Sequence, residues 1–252
     1  NLGILEMNAT NRPGAADAFR QAVTAHPDYA AAWQGLGVAL VATDVAGAIQ
    51  AWERAVTLDP LDFDTLFNLG IVLAHRGQYA EARAVEEHAL EEARKQRDVQ
   101  LEGASRMYLS TIAFLAGDLA AAEREALAAA DLIAVMPSVR ASALARLSRA
   151  LLAQGPSRLG EAVAAAREAM KLLELLGRMG EGEVLVRLAH AEALDALGEH
   201  DEARKALRGA RECLLARAAK VRDSTLRESF LRRVPEHART LDLAKSWLGE
   251  AP

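Results

Sequence analysis

Residues 33–40, Trp33-Gln34-Gly35-Leu36-Gly37-Val38-Ala39-Leu40, followed by Ala48, Trp52, Ala55 and Pro60, set out one pair of short antiparallel helices. Trp33, Leu36 and Leu40 recur at helical spacing, Gly37 leaves room where a second helix backbone crosses, and Pro60 stops the second helix. The arrangement repeats along the chain. A small residue of the second helix stands at Ala15, Ala48, Ala82, Ala122, Ala162 and Ala203, with successive steps of 33, 34, 40, 40 and 41 residues. A second small residue follows each by 7 positions, at Ala22, Ala55, Ala89, Ala129, Ala169 and Ala210, which places the two on one helix face, two turns apart. Self-similarity at such a period is the mark of a repeat fold, in which each hairpin packs only on its neighbours and the core is a continuous ribbon.

The first helices carry Leu2-Gly3, Leu36-Gly37 and Leu69-Gly70, and later Leu109-Ser110, Leu147-Ser148 and His190-Ala191. Gly77, Gly117, Gly155 and Gly198 stand where the two helices of a hairpin turn, and Pro27 and Pro60 end the first two hairpins. This pattern resembles the tetratricopeptide-repeat family, whose unit of roughly 34 residues has large residues early in its first helix and small ones at the crossing. Where that family has a bulky aromatic on the second helix, this chain has Phe19, Trp52, Glu86, Ala126, Ala166 and Leu207, so the match weakens toward the C-terminus. The later step of 40 residues is similar to the longer-helix repeats of kinesin-light-chain-like and bacterial regulator proteins, and longer helices are expected there. The resemblance implies an all-α fold, a right-handed α-solenoid of six hairpins over residues 1–222, closed by a pair of capping helices over 223–252. In the second of these, Pro235 is placed to open the helix and Gly249 to close it. Leu241, Ala244 and Leu248 share a face there, with Arg239, Asp242, Lys245 and Glu250 elsewhere. Asn1-Leu2-Gly3 stands in the middle of a first helix, so the natural protein is expected to continue upstream.

Composition agrees with an all-α chain: aromatics are 4 % and charged residues 26 %, and no β-branched run alternates with polar residues. No apolar stretch reaches the roughly 18 residues that span a bilayer. The single cysteine, Cys213, excludes an internal disulfide and fits a reducing, cytoplasmic address, with a periplasmic one left open by the truncated start. Motifs for chemistry are wanting. His26, His75, His88, His190, His200 and His237 are scattered, without the short spacing to Cys or carboxylate that zinc requires. His190-Ala191-Glu192 has the outline of a deaminase signature but lacks its Pro-Cys-x-x-Cys partner, and reads as a core-edge histidine beside a solvated glutamate. Gly155-Pro-Ser-Arg-Leu-Gly160 has Glu161-Ala162 where a phosphate loop needs Lys and Ser/Thr, and reads as an enlarged turn. Cys213, with no histidine at helical spacing, reads as a buried thiol. No catalytic residue, cofactor or metal site is expected.

What remains is binding. In the resembled family the first helices line a concave groove, and its inward positions fall here on Gln34, Val38 and Val41, on Asn68, Ile71 and His75, on Met107, Tyr108, Thr111 and Phe114, and on Arg146 and Arg149. Such a groove runs from apolar and aromatic to basic and suits a protein or peptide with hydrophobic anchors and one acidic group. Met107 and Phe114 alternatively pack between adjacent long helices, and Arg146 and Arg149 alternatively form a solvated pair. The family subclass that clamps the carboxylates of chaperone tails matches only at Asn68, since Ala104 and Tyr108 stand where it has lysine and arginine.

Charge is divided unevenly. Residues 1–100 hold 8 Lys/Arg against 14 Asp/Glu, a net of −6, and residues 204–239 hold 11 against 4, a net of +7. This permits head-to-tail self-association; nucleic acid is disfavoured by the overall charge of −5 and the absence of interleaved aromatics. The arginines also read as a solvated face with partners such as Arg208 with Glu212. The stretch Ser229-Phe-Leu-x-x-Val-Pro-Glu-x-x-Arg239 resembles the tail of helical-repeat regions in bacterial serine/threonine kinases and ATPase-type regulators. The leading expectation is a non-catalytic protein-interaction scaffold in a bacterial signalling or assembly protein. The alternatives are the regulatory region of a larger signalling enzyme, its catalytic domain upstream, and an outer-membrane assembly lipoprotein.

Overall fold

The computed structural model describes residues 12–180 and 182–249, and the expected first helix around Leu2-Gly3 lies outside them. Among the described residues thirteen α-helices follow one another: α1 (Arg12–Ala25), α2 (Ala30–Leu40), α3 (Val45–Leu58), α4 (Phe63–His75), α5 (Tyr79–Gln96), α6 (Val99–Leu115), α7 (Leu119–Leu132), α8 (Pro137–Ala153), α9 (Leu159–Leu176), α10 (Glu183–Ala196), α11 (His200–Ala218), α12 (Ser224–Arg232) and α13 (Pro235–Leu248). The described residues contain no strand. These hairpins are those of an α-solenoid. They fall into two compact units, residues 1–108 and 109–252, with the boundary inside α6.

In the first unit α1 packs on α2, α2 on α3, α3 on α4 and α4 on α5. The close approach rests on small residues: Ala15, Ala48 and Ala82 are wholly inaccessible to solvent (0 %), as are their counterparts Ala122, Ala162 and Ala203 in the second unit. Gly37 shows why a glycine follows the leucine. A Cβ there would lie 2.3 Å from Trp52 Nε1, so the fully buried indole of α3 lies against the bare backbone of α2 and donates to the Gln34 carbonyl at 3.3 Å. At the equivalent Gly70 the neighbour is not an aromatic but the carboxyl of Glu86, 2.5 Å from where a Cβ would lie. Aspartates start several helices by accepting a hydrogen bond from the first turn: Asp44 from Gly47, Asp62 from Thr65, Asp118 from Ala121 and Asp223 from Leu226.

In the second unit α7 packs on α8, α8 on α9 and α10, and α10 on α11. The Ser110 hydroxyl, buried where earlier hairpins have glycine, donates to the Ala122 carbonyl at 2.8 Å and closes the α6–α7 crossing. The expected lengthening is present in part: α5, α6, α8, α9 and α11 run 17–19 residues, against 11–14 for α2–α4, while α7 and α10 keep 14. The turn glycines Gly77, Gly117, Gly155 and Gly198 have φ of +77°, +80°, +108° and +88°, a region that an L side chain enters only at a cost. The Gly155 turn is enlarged, as expected, by a 3₁₀ turn over Pro156–Arg158. Pro235 and Gly249 bound α13 as expected. Leu243 and Ala244 of that helix join Leu188, Ala191 and Leu207 in one core cluster, while Leu241 packs with Val184 and Leu214. The final helix is therefore built into the last hairpin's core.

Candidate functional site

The first helices of the first unit present a half-buried surface composed of Gln34 and Val38 on α2, Asn68 and Ile71 on α4, and Met107 and Tyr108 on α6, with His75 exposed in the last turn of α4. Tyr108 is anchored by a residue that periodicity had not singled out. Phe67 stacks on it at 4.8 Å between centroids, with 24° between the ring planes, and Phe63 follows at 6.0 Å and 52°. Three aromatic rings thus form a half-buried strip in which the Tyr108 ring is held flat, a preorganised apolar anchor.

In the second unit, Thr111 and Phe114 on α6 lie beside Arg146 and Arg149 on α8. Arg146 Nε donates to Thr111 Oγ1 at 3.1 Å and its Nη1 to the Ser142 carbonyl at 3.1 Å. The Arg149 guanidinium lies 5.1 Å from the centroid of the Phe114 ring. Arg149 Nε donates to Glu192 Oε2 at 2.9 Å, and Arg239 Nε of the last helix donates to Glu192 Oε1 at 3.0 Å. Glu192 is therefore no solvated glutamate: its side chain is 14 % exposed and both of its oxygens are held by arginines from other helices. The pair Arg146/Arg149 is likewise tied into the fold, Arg149 with a side chain 19 % exposed. Two arginines from different helices thus converge on one carboxylate, a ladder one turn along α8 from Arg146. Phe114 also packs beside the buried cluster of Ala113, Ala121, Ala122 and Ala150.

Elsewhere the structure settles several smaller points. Arg208 and Glu212 form no ion pair among the described residues; on that helix the pairs are Arg204 with Asp201 and Lys205 with Glu202, three residues apart instead of four. Burial lowers the pKa of the half-buried His190 and raises that of the Cys213 thiol, which is a weaker nucleophile for it. Burial pushes the Glu183 carboxyl up, but hydrogen bonds from Arg187 and the Met179 N–H outweigh this and leave it below its ordinary value. Glu86 has no such support: it is fully buried, neither oxygen has a hydrogen-bond partner among the described residues, and burial raises its pKa well above the usual carboxylate value. Among the described residues no group of three or more His, Cys, Asp or Glu could hold a metal ion, and no helix is long and apolar enough to cross a membrane.

Comparison with known proteins bears on the repeats directly. A tetratricopeptide-repeat family model matches residues 1–43 and 39–97. No curated protein matches the sequence. Among solved structures, a tetratricopeptide repeat protein from Parabacteroides merdae ATCC 43184 superposes with a TM-score of 0.63 at 13 % identity, over 92 % of this chain and 81 % of that one. PilW, described as a widely conserved type IV pilus biogenesis factor, gives 0.61 at 19 % identity over 89 % and 93 %. The nearly identical TPR-like repeats of a putative kinesin light chain from Podosopora anserina give 0.59 at 18 % identity over 74 % and 95 %. Residues 1–97 therefore carry tetratricopeptide repeats, and beyond them the chain shares the fold of these solved repeat proteins.

Proposed function

We propose that this chain is a non-catalytic scaffold that binds another protein through the exposed faces of its first helices, with the ladder of the second unit receiving an acidic group of the partner. The observation that carries this reading is Glu192 held between Arg149 and Arg239. The chain's own carboxylate occupies the geometry these arginines offer, and Arg239, with a side chain 51 % exposed, is the one a partner's acidic group would reach. Phe114 beneath Arg149 supplies an apolar neighbour, and in the first unit the Phe67–Tyr108 stack supplies the hydrophobic anchor. Among the described residues neither surface holds a nucleophile paired with a base, and Glu86 and Cys213, whose pKa values burial raises, are buried and half-buried, which favours binding over chemistry.

The test is affinity capture from a lysate of the source cells, comparing the parent with Arg146→Glu and with Tyr108→Ala, each shown by circular dichroism to be equally helical. A protein retained by the parent and lost with both variants supports the reading. Retention of the same proteins by all three contradicts it.

A further inference from the structure

Among the described residues of the first unit, large apolar side chains left in water recur at one place. Tyr29, Leu61 and Val99, exposed by 52, 51 and 46 %, each stand at the connection that leads into a first helix, α2, α4 and α6 respectively. One exposed apolar residue per hairpin makes a row along the junction edge, a feature that isolated exposed residues do not share. Carboxylates accompany it: Asp28 beside Tyr29, and Asp59, Asp62 and Asp64 around Leu61. Asp28, Asp59 and Asp64 are exposed. Among the described residues none of these three has an ion-pair partner.

At the other end of the chain, the connection between α11 and α12 reads Lys220-Val221-Arg222, with Lys220 and Arg222 exposed and Val221 half-buried between them. Neither cation has an ion-pair partner among the described residues, unlike Arg204, Lys205, Arg217, Arg232 and Arg239 nearby in sequence. The two segments are complementary in pattern: acid–apolar–acid in the first unit, base–apolar–base in the second.

We infer that the acidic, apolar junction edge around Leu61 docks the basic Lys220–Arg222 corner of a second copy of this chain. The contact is heterologous, because the two surfaces differ, so every copy keeps one free end and association is open unless the rotation closes a ring. Its charges are exposed, so its strength depends steeply on salt. The surface is distinct from the first-helix faces proposed above to bind another protein, and neither proposal depends on the other.

The experiment is sedimentation velocity over a range of protein concentrations, with two double variants, Asp28→Lys/Asp64→Lys and Lys220→Glu/Arg222→Glu, each checked for unchanged helicity. The parent is expected to sediment as concentration-dependent oligomers at about 0.05 M salt and to dissociate at least about tenfold more readily at about 0.5 M. Each double variant alone is expected to remain monomeric. A mixture of the two pairs the reversed basic edge with the reversed acidic corner, and the native edge with the native corner, and is expected to restore concentration-dependent oligomers in which the two variants alternate. A parent that stays monomeric at low salt, oligomers that survive either pair of reversals, or a mixture that fails to associate would each overturn the inference.

Discussion

Replacing Glu86 should make this protein more stable. In the second hairpin the equivalent position is Trp52 and in the first Phe19, both buried; Glu86 puts a carboxyl in the same fully buried place, against the backbone at Gly70. Neither oxygen finds a donor among the described residues. A buried polar group without a partner costs about 1–3 kcal/mol. Glu86→Met keeps the length of the side chain while removing both oxygens, and is expected to raise stability by about that amount at neutral pH, or roughly 2–4 °C in melting temperature per kcal/mol for a chain of this size. The pH dependence carries the sharper signature. Because the folded-state pKa is raised, folding takes up a proton above the ordinary value of 4.5, so the Glu86 contribution is complete below that value and is lost as pH rises through the folded pKa. Thermal and urea unfolding followed by circular dichroism between about pH 4 and pH 8 should therefore show the parent losing stability with rising pH relative to the variant. A variant that is less stable throughout, with the pH slope unchanged, would show that Glu86 is satisfied in solution and would refute the argument.

The Glu192 ladder predicts unequal losses: Glu192→Leu leaves Arg149 without its carboxylate in a mostly buried setting and is expected to cost about 1–3 kcal/mol, whereas Arg239→Ala, half-exposed, costs under about 1 kcal/mol, as urea titration of both and of the double variant would measure. In an ordinary exposed helix Gly→Ala gains about 1 kcal/mol, but Gly37→Ala would drive a methyl into the Trp52 indole and is expected to destabilise by about 1–3 kcal/mol, with a shift in tryptophan fluorescence before unfolding. For Glu183, whose folded pKa is lowered, the stabilisation is present above the ordinary value of 4.5 and is lost as pH falls through the folded pKa, so Glu183→Gln should lower stability above about pH 5 and flatten the acid limb of the stability curve. Cys213, with its thiol pKa raised, should react with a soluble disulfide reagent at about pH 8 more slowly than a free cysteine does, and at the free rate once the chain is unfolded.

The repeat was legible because backbone crossing leaves a periodic trace. The alanines at 48, 82, 122, 162 and 203 are buried for one local reason that recurs in every hairpin, and Pro235 and Gly249 bound α13 through dihedral preferences that act within a turn. Long-range pairing leaves no such trace. The residues that hold Glu192 lie 43 and 47 positions away, beyond anything that helical spacing encodes, so a glutamate at the centre of an ion-pair ladder looked solvated. Phe67 was passed over for the converse reason: its neighbour Asn68 fell on a family position, while the ring that stacks on Tyr108 is 41 residues away in sequence. The Arg208–Glu212 expectation failed because i, i+4 spacing permits an ion pair without requiring one, and exposed side chains gain little from forming it.

The central claim is that a partner protein meets the first-helix faces. It is tested most directly by placing a photo-crosslinking amino acid at Thr111 in one variant and at Leu175, exposed by 75 % on second helix α9, in another, and irradiating each in the source cells. The account predicts a discrete crosslinked protein from position 111 that Arg149→Glu abolishes, and none of the same mass from position 175. A crosslink of the same mass from position 175 alone would contradict it.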